Sequence, residues 1–219
     1  MHLQRGCAQL ENSFFSGLRP LLESGGQKMS KIILASGSPR RQELLRRMGI
    51  ADFEIRSPDI DESYPAGLNP TQTVEYISRK KCDAVAESAA PDEIVIAADT
   101  MVFVDGERLG KPADEADALR MLTRLQGRAH MVCTGVSVRQ GDLVFTESES
   151  TEVLFRTASA MELLQYIRTG EPMDKAGAYG VQGLGALLVE GIHGDFYNVM
   201  GLPMLRLSRM LGRFGVSFF

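Results

Sequence analysis

Two arginines at the start of a helix are poorly placed unless something negative joins them. The run Ser36-Gly37-Ser38-Pro39-Arg40-Arg41 follows the apolar stretch Ile32-Ile33-Leu34-Ala35, so Ser38 can cap a helix whose first residue is Pro39. The first turn of a helix carries partial positive charge and unpartnered N–H groups, and acidic residues are preferred there. This turn receives Arg40 and Arg41 instead. A phosphate would satisfy it by accepting backbone N–H, the Ser36 and Ser38 hydroxyls and bidentate guanidinium bonds together. The alternative at this point is that both arginines point to solvent.

Asp99-Thr100 ends the apolar run Glu93-Ile94-Val95-Ile96-Ala97-Ala98. An aspartate at the carboxyl end of such a strand lies where α/β folds place ligands, and could hold a metal ion or orient water; the plainer alternative is that it caps a turn. Asp59-Ile60-Asp61-Glu62 gathers carboxylates in a loop. They are hard oxygen ligands that suit Mg²⁺ or Mn²⁺, or simply solvated surface. Arg79-Lys80-Lys81 is a basic cluster whose default is exposure, and Lys111 stands fixed between Gly110 and Pro112. In the glycine-rich stretch 171–183, Gln182 offers both a donor and an acceptor to the edge of a base. There is no G-x-x-x-x-G-K-[ST] run, and His2, His130 and His193 do not cluster, which disfavours P-loop phosphoryl transfer and a histidine-rich zinc site. Carboxylate-and-metal activation of water remains, with Arg and Lys stabilising phosphate charge.

The elements that must position these groups alternate early and form hairpins later. A strand over 32–35 leads to a helix with Leu44, Leu45 and Met48 on its apolar face, ended by Gly49. A strand over 51–55 and a loop over 56–70 precede a helix over 71–90, with Val74, Ile77, Cys82 and Val85 inward. The strand at 93–98 is followed by a hairpin turning at Asp105-Gly106, then by a helix carrying Ala118, Met121, Leu122 and Leu125. Residues 130–139 and 143–155 flank Gly141-Asp142 as paired antiparallel strands. Ser159 and Glu162 form a capping box. A strand over 186–189 and a final helix from about Leu202-Pro203 complete the chain. The pattern predicts an α/β fold with a mixed sheet flanked by helices.

The 219 residues fit one domain, 44% are hydrophobic, and the net charge is −4. With no tryptophan and 7% aromatics, this balance ranks a nucleic-acid partner last. Cys7, Cys82 and Cys133 have neither disulfide nor metal-ligand spacing, so the expected compartment is the reducing cytoplasm; no apolar run is long enough to span a membrane. Residues 1–28 read as an N-terminal extension, either poorly ordered or translated from a mis-assigned start. Gly25-Gly26 codons can form a ribosome-binding sequence ahead of Met29. The alternative is a short amphipathic segment at Leu18–Leu22. The domain proper is expected over 29–219.

On these residues the sequence resembles the Maf family, named for septum formation proteins and related in fold to inosine triphosphate pyrophosphatases. The resemblance rests on Leu34-Ala35-Ser36-Gly37-Ser38-Pro39-Arg40-Arg41, Ala98-Asp99-Thr100, Leu109-Gly110-Lys111-Pro112, Asp174-Lys175-Ala176-Gly177-Ala178-Tyr179-Gly180 and Gly201-Leu202-Pro203. It implies hydrolysis of a nucleoside triphosphate between the α- and β-phosphates, with Asp99 as proton acceptor. It places Arg40, Thr100 and Gln182 at positions of substrate choice, and Glu62, Lys81 and Lys111 at the family's acidic and basic site positions. Mg²⁺ or Mn²⁺ would be held by Glu62 and Asp99. Ala176-Gly177-Ala178-Tyr179-Gly180-Val181-Gln182 resembles the branch acting on dTTP and UTP, with modified pyrimidine nucleotides as further candidates. The resemblance also leaves room for a homodimer, and for a rival reading as a non-catalytic nucleotide-binding regulator of division.

Overall fold

The computed structural model describes residues 30–219. The expectations for 1–28, for a start at Met29 and for Cys7 lie outside the described residues. Seven strands form one mixed sheet: β1 (Ile32–Leu34), β2 (Glu54–Ile55), β3 (Ile94–Val104), β4 (Glu107–Leu109), β5 (Ala129–Gln140), β6 (Leu143–Phe155) and β7 (Val189–His193). Their order is β2-β1-β3-β5-β6-β7, with β4 also paired to β3. The first three strands of that order run parallel, and every other pairing is antiparallel. The helices are α1 (Pro39–Arg47), α2 (Pro70–Ala86), α3 (Glu115–Leu125), α4 (Ala160–Ile167), α5 (Phe196–Met200) and α6 (Met204–Gly212). The mixed sheet flanked by helices expected from the sequence is therefore present. Among the described residues no helix is long and apolar enough to cross a membrane.

Local chemistry explains most boundaries. Asn69 caps α2 by accepting from the Gln72 N–H, and Gln72 returns a bond to the Asn69 N–H. Ser159 and Glu162 do the same for α4, so each helix start satisfies two otherwise orphaned donors. At the β3–β4 turn both Asp105 (φ 53°) and Gly106 (φ 76°) adopt the left-handed conformation that a tight hairpin needs.

Three expectations need correction. The strand at 51–55 shrinks to Glu54–Ile55. Ala186–Val189 is not a strand: Leu184–Leu188 is a three-ten turn and β7 starts only at Val189. The reason is that Glu171 captures the N–H groups of Leu184 and Gly185, curling the chain before it can join the sheet. Asp99 does not end its strand either. It lies in the middle of an 11-residue β3, because β5 pairs with β3 continuously from Ile94 to Phe103.

The other edge of β3 is discontinuous. Beside β3, β1 stops at Leu34, opposite Ile96, and β4 resumes only opposite Val102. Between them β3 has no strand neighbour on that side among the described residues.

Candidate active site

Period-two alternation sends successive β3 side chains to opposite faces. Val95, Ala97, Met101 and Phe103 pack with α2 residues Cys82, Val85, Val74 and Ile77, so Asp99 occupies the middle of an apolar row facing that helix. On α2, the buried stripe Val74, Ile77, Ser78, Cys82 and Val85 is interrupted by Lys81. The two interruptions meet. Lys81 Nζ donates to Asp99 Oδ1 at 2.7 Å and lies 2.8 Å from Glu62 Oε1. Asp99 is only 5% exposed and Lys81 8%, whereas the Glu62 side chain is largely open to solvent. The second carboxylate oxygen of Asp99 is buried without a hydrogen-bond partner. A buried acceptor left open in this way costs free energy unless a ligand completes it.

Thr100 points to the opposite face, toward α1. Arg41 Nη2 donates to Thr100 Oγ1 at 3.1 Å, Nη1 donates to Ser36 Oγ at 3.1 Å, and Nε donates to the Gly201 carbonyl at 2.9 Å. Burial draws the Arg41 guanidinium below its usual pKa; Asp99 and Glu62 oppose that shift and Arg40 adds to it. An arginine remains charged regardless. Behind Thr100, Thr134 Oγ1 donates to the Asn198 carbonyl at 3.0 Å. The two threonine hydroxyls are 2.9 Å apart, and Thr100 Oγ1 also reaches the Gly201 carbonyl at 3.4 Å. The hydroxyl of Thr100 is thus engaged on the protein side, as a brace for Arg41.

The gap beside β3 opens into a cleft of about 960 Å³ that brings together all the site residues expected from the sequence: Ser36, Ser38, Arg40, Arg41, Glu62, Lys81, Asp99, Thr100, Lys111 and Gln182. Ser38 is the N-cap of α1 but makes no side-chain cap bond; its N–H donates to Ser36 Oγ instead. Arg40 is freer than Arg41, with Asp174 3.8 Å away. Lys111 and Gln182 are exposed on the cleft wall. Among the described residues no three His, Cys, Asp or Glu side chains gather as a metal site; Glu62 and Asp99 converge as a pair on Lys81.

Sequence reasoning missed three contributors. Thr134 had no motif to betray it, since an inward hydroxyl in a strand looks like any β-forming residue. Glu171 lay in a stretch singled out for its glycines, and Tyr166 reads as the apolar face of α4. Asp99, by contrast, was marked by its charge beside an apolar run, while Lys81 was expected at the site only through the family resemblance and lies buried, not exposed as its basic cluster suggested.

Known proteins provide the remaining context. A model for the Maf-like protein family matches residues 31–214. The dTTP/UTP pyrophosphatase of Symbiobacterium thermophilum is 50% identical over 191 residues, covering 87% of this chain and 97% of that relative. That of Dictyoglomus turgidum is 49% identical over 190 residues, covering 85% and 97%, and that of Bacillus velezensis 48% over 188 residues, covering 85% and 98%. Among solved structures, the Staphylococcus aureus Ham1 protein aligns with 84% of this chain and 99% of its own at 18% identity and a TM-score of 0.47, too distant to carry a functional argument. The family match spans nearly every described element from β1 to α6, and with it the cleft: this chain belongs to the Maf-like protein family.

Proposed function

We propose that the protein hydrolyses nucleoside triphosphates, dTTP and UTP foremost, between the α- and β-phosphates, yielding the monophosphate and pyrophosphate. The observation that carries this reading is the state of Asp99. One oxygen is fixed by Lys81 and the other is unpartnered at the floor of an open cleft. A carboxylate held by one oxygen is oriented, and its free oxygen can accept a proton from an attacking water. The start of α1, Arg40 and Lys111 surround the same space and would take the triphosphate charge. The relatives' shared name, dTTP/UTP pyrophosphatase, supports the substrate class.

A divalent cation, Mg²⁺ or Mn²⁺, fits the donor set. The exposed Glu62 carboxylate is a hard ligand and would hold the ion together with oxygens of the substrate and water, beside Asp99, whose free oxygen is left for the proton. When bound, such an ion supplies Lewis-acid stabilisation of phosphate charge. Lys81 keeps both carboxylates turned toward the cleft, Arg41 is braced by Ser36, Thr100 and Gly201, and Gln182 presents a donor and an acceptor where a base would lie. Incubation with dTTP, UTP and 7-methyl-GTP in the presence of Mg²⁺, with assay of pyrophosphate and monophosphate, tests the proposal. Release from the first two and not the third is expected. Binding without release would instead support a nucleotide-responsive regulator.

A further inference from the structure

The turn that carries Gln182 lies outside the sheet, and two side chains fasten its backbone. Tyr166 comes from α4 and Glu171 from the three-ten turn Glu171–Asp174. The Tyr166 hydroxyl donates to Glu171 Oε1 at 2.8 Å and accepts from the Gly180 N–H at 3.1 Å. The Gly185 N–H donates to Glu171 Oε1 at 3.0 Å and the Leu184 N–H to Oε2 at 2.8 Å. Both ends of the turn therefore close on one phenol–carboxylate pair. The fit is tight: a Cβ on Gly183 would lie 2.3 Å from Glu171 Oε2, and one on Gly185 would lie 2.6 Å from the Tyr166 hydroxyl. At Gly185 such a Cβ would also lie 2.7 Å from the Gly180 carbonyl oxygen, a backbone atom, so glycine is required there.

Three donors converge on Glu171, and only an acceptor-only group with two oxygens satisfies them all. Burial pushes its carboxyl pKa up, but the Gly185 and Leu184 N–H groups, the Tyr166 hydroxyl and Lys175 outweigh that and hold it below the usual value. With both oxygens engaged, Glu171 acts through the turn. Gln182 is exposed on this turn, so the hold on the backbone fixes the depth and angle at which its amide can meet the edge of a base.

We infer that Glu171, together with Tyr166, is a positioning residue that sets base selectivity by holding the Gly180–Gly185 turn, and with it Gln182, in one place. This rests on the proposed function, in which Gln182 meets the base. The test compares wild type, Glu171→Gln and Tyr166→Phe in kcat and KM for UTP and CTP, alongside amide hydrogen exchange at Gly180, Leu184 and Gly185. In E171Q an amide NH₂ meets a donor where an acceptor stood. The UTP-over-CTP ratio of kcat/KM should fall about tenfold or more, mainly through a higher KM for UTP, with faster exchange at the three amides. Y166F should move both readouts the same way and less far; if E171Q does not fold, Y166F decides alone. A purely structural role would slow both nucleotides equally. An unchanged ratio in folded variants, with wild type still releasing pyrophosphate from UTP, overturns the inference and leaves the proposed function standing. A wild type that releases none from either nucleotide overturns both.

Discussion

At the residue scale, the site is assembled from polar groups placed in apolar rows. Asp99 and Lys81 each interrupt a buried stripe, and each supplies the other's counter-charge. Burial of either alone would be costly, so each is tolerated in its apolar row only because the other meets it. The Thr134–Thr100–Arg41 chain is different, because its buried hydroxyls carry no charge that would mark them in an apolar row. Thr134 is fully buried, so Thr134→Val keeps the volume and removes the hydroxyl on which Thr100 rests. The Asn198 carbonyl keeps the Gly201 N–H at 2.9 Å, so the variant loses hydrogen bonds worth about 0.5–1.5 kcal/mol each without orphaning that group. The expected outcome is a several-fold rise in KM for dTTP with kcat changed less, and recovery in Thr134→Ser. Steady-state kinetics of both variants checks this; equal KM values would remove Thr134 from the account.

At the element scale, the contact between α2 and the sheet sets the Lys81–Asp99 distance. Gly135 on β5 pairs directly with Asp99, and a Cβ there would fall 2.2 Å from the Val74 carbonyl oxygen and 2.7 Å from the Glu75 nitrogen. These are backbone atoms, so no rotamer change can relieve the clash and the whole helix must move. Lys81 lies about 10 Å further along the same helix and would be carried away from Asp99. We expect Gly135→Ala to lower Tm by about 5 °C or more and to depress dTTP turnover; a melt within 1 °C of wild type would contradict the close approach.

The sequence made the helices legible, because caps and apolar stripes are local: Asn69 and Ser159 start their helices by the chemistry their residues announce. The β5–β6 hairpin was equally clear from Gly141-Asp142. Asp99 was read as the end of a strand because its charge breaks an apolar run. The strand continues because β5 pairs through that point, a long-range fact invisible in the local pattern. Residues 186–189 failed for the same reason: a glutamate 13 residues upstream of Leu184 takes the backbone donors there. The site residues themselves were found largely through ordered motifs, and the structure brings them into one cleft that no single motif defines.

At the scale of the whole molecule, the sheet's interrupted edge joins two cores. One, around β1, α1 and α6, carries Arg41; the other, around α3, α4 and β6, underlies the turn of Gln182. The second core contains His130, whose Nε2 contacts the Tyr179 hydroxyl at 2.9 Å while Nδ1 has no partner among the described residues. Burial lowers its pKa from 6.5 to about 4. The folded state therefore binds fewer protons than the unfolded state between these values. The stability present above pH 6.5 is lost as pH falls toward 4, by at most about 1.4 kcal/mol per pH unit. Thermal melts of wild type and His130→Phe from pH 8 to 4.5 should show a steeper acid loss in wild type; parallel curves would mean His130 is not held neutral by the fold.

The central claim is that the unpartnered oxygen of Asp99 takes the proton of the attacking water. Asp99→Asn keeps the side chain's shape and a hydrogen-bond acceptor for Lys81 while removing the base. Single-turnover pyrophosphate release from dTTP, measured beside equilibrium binding of the same nucleotide, separates chemistry from affinity. Turnover should fall by about 10²-fold or more with Kd changed by less than about tenfold. Turnover near that of wild type would contradict the account.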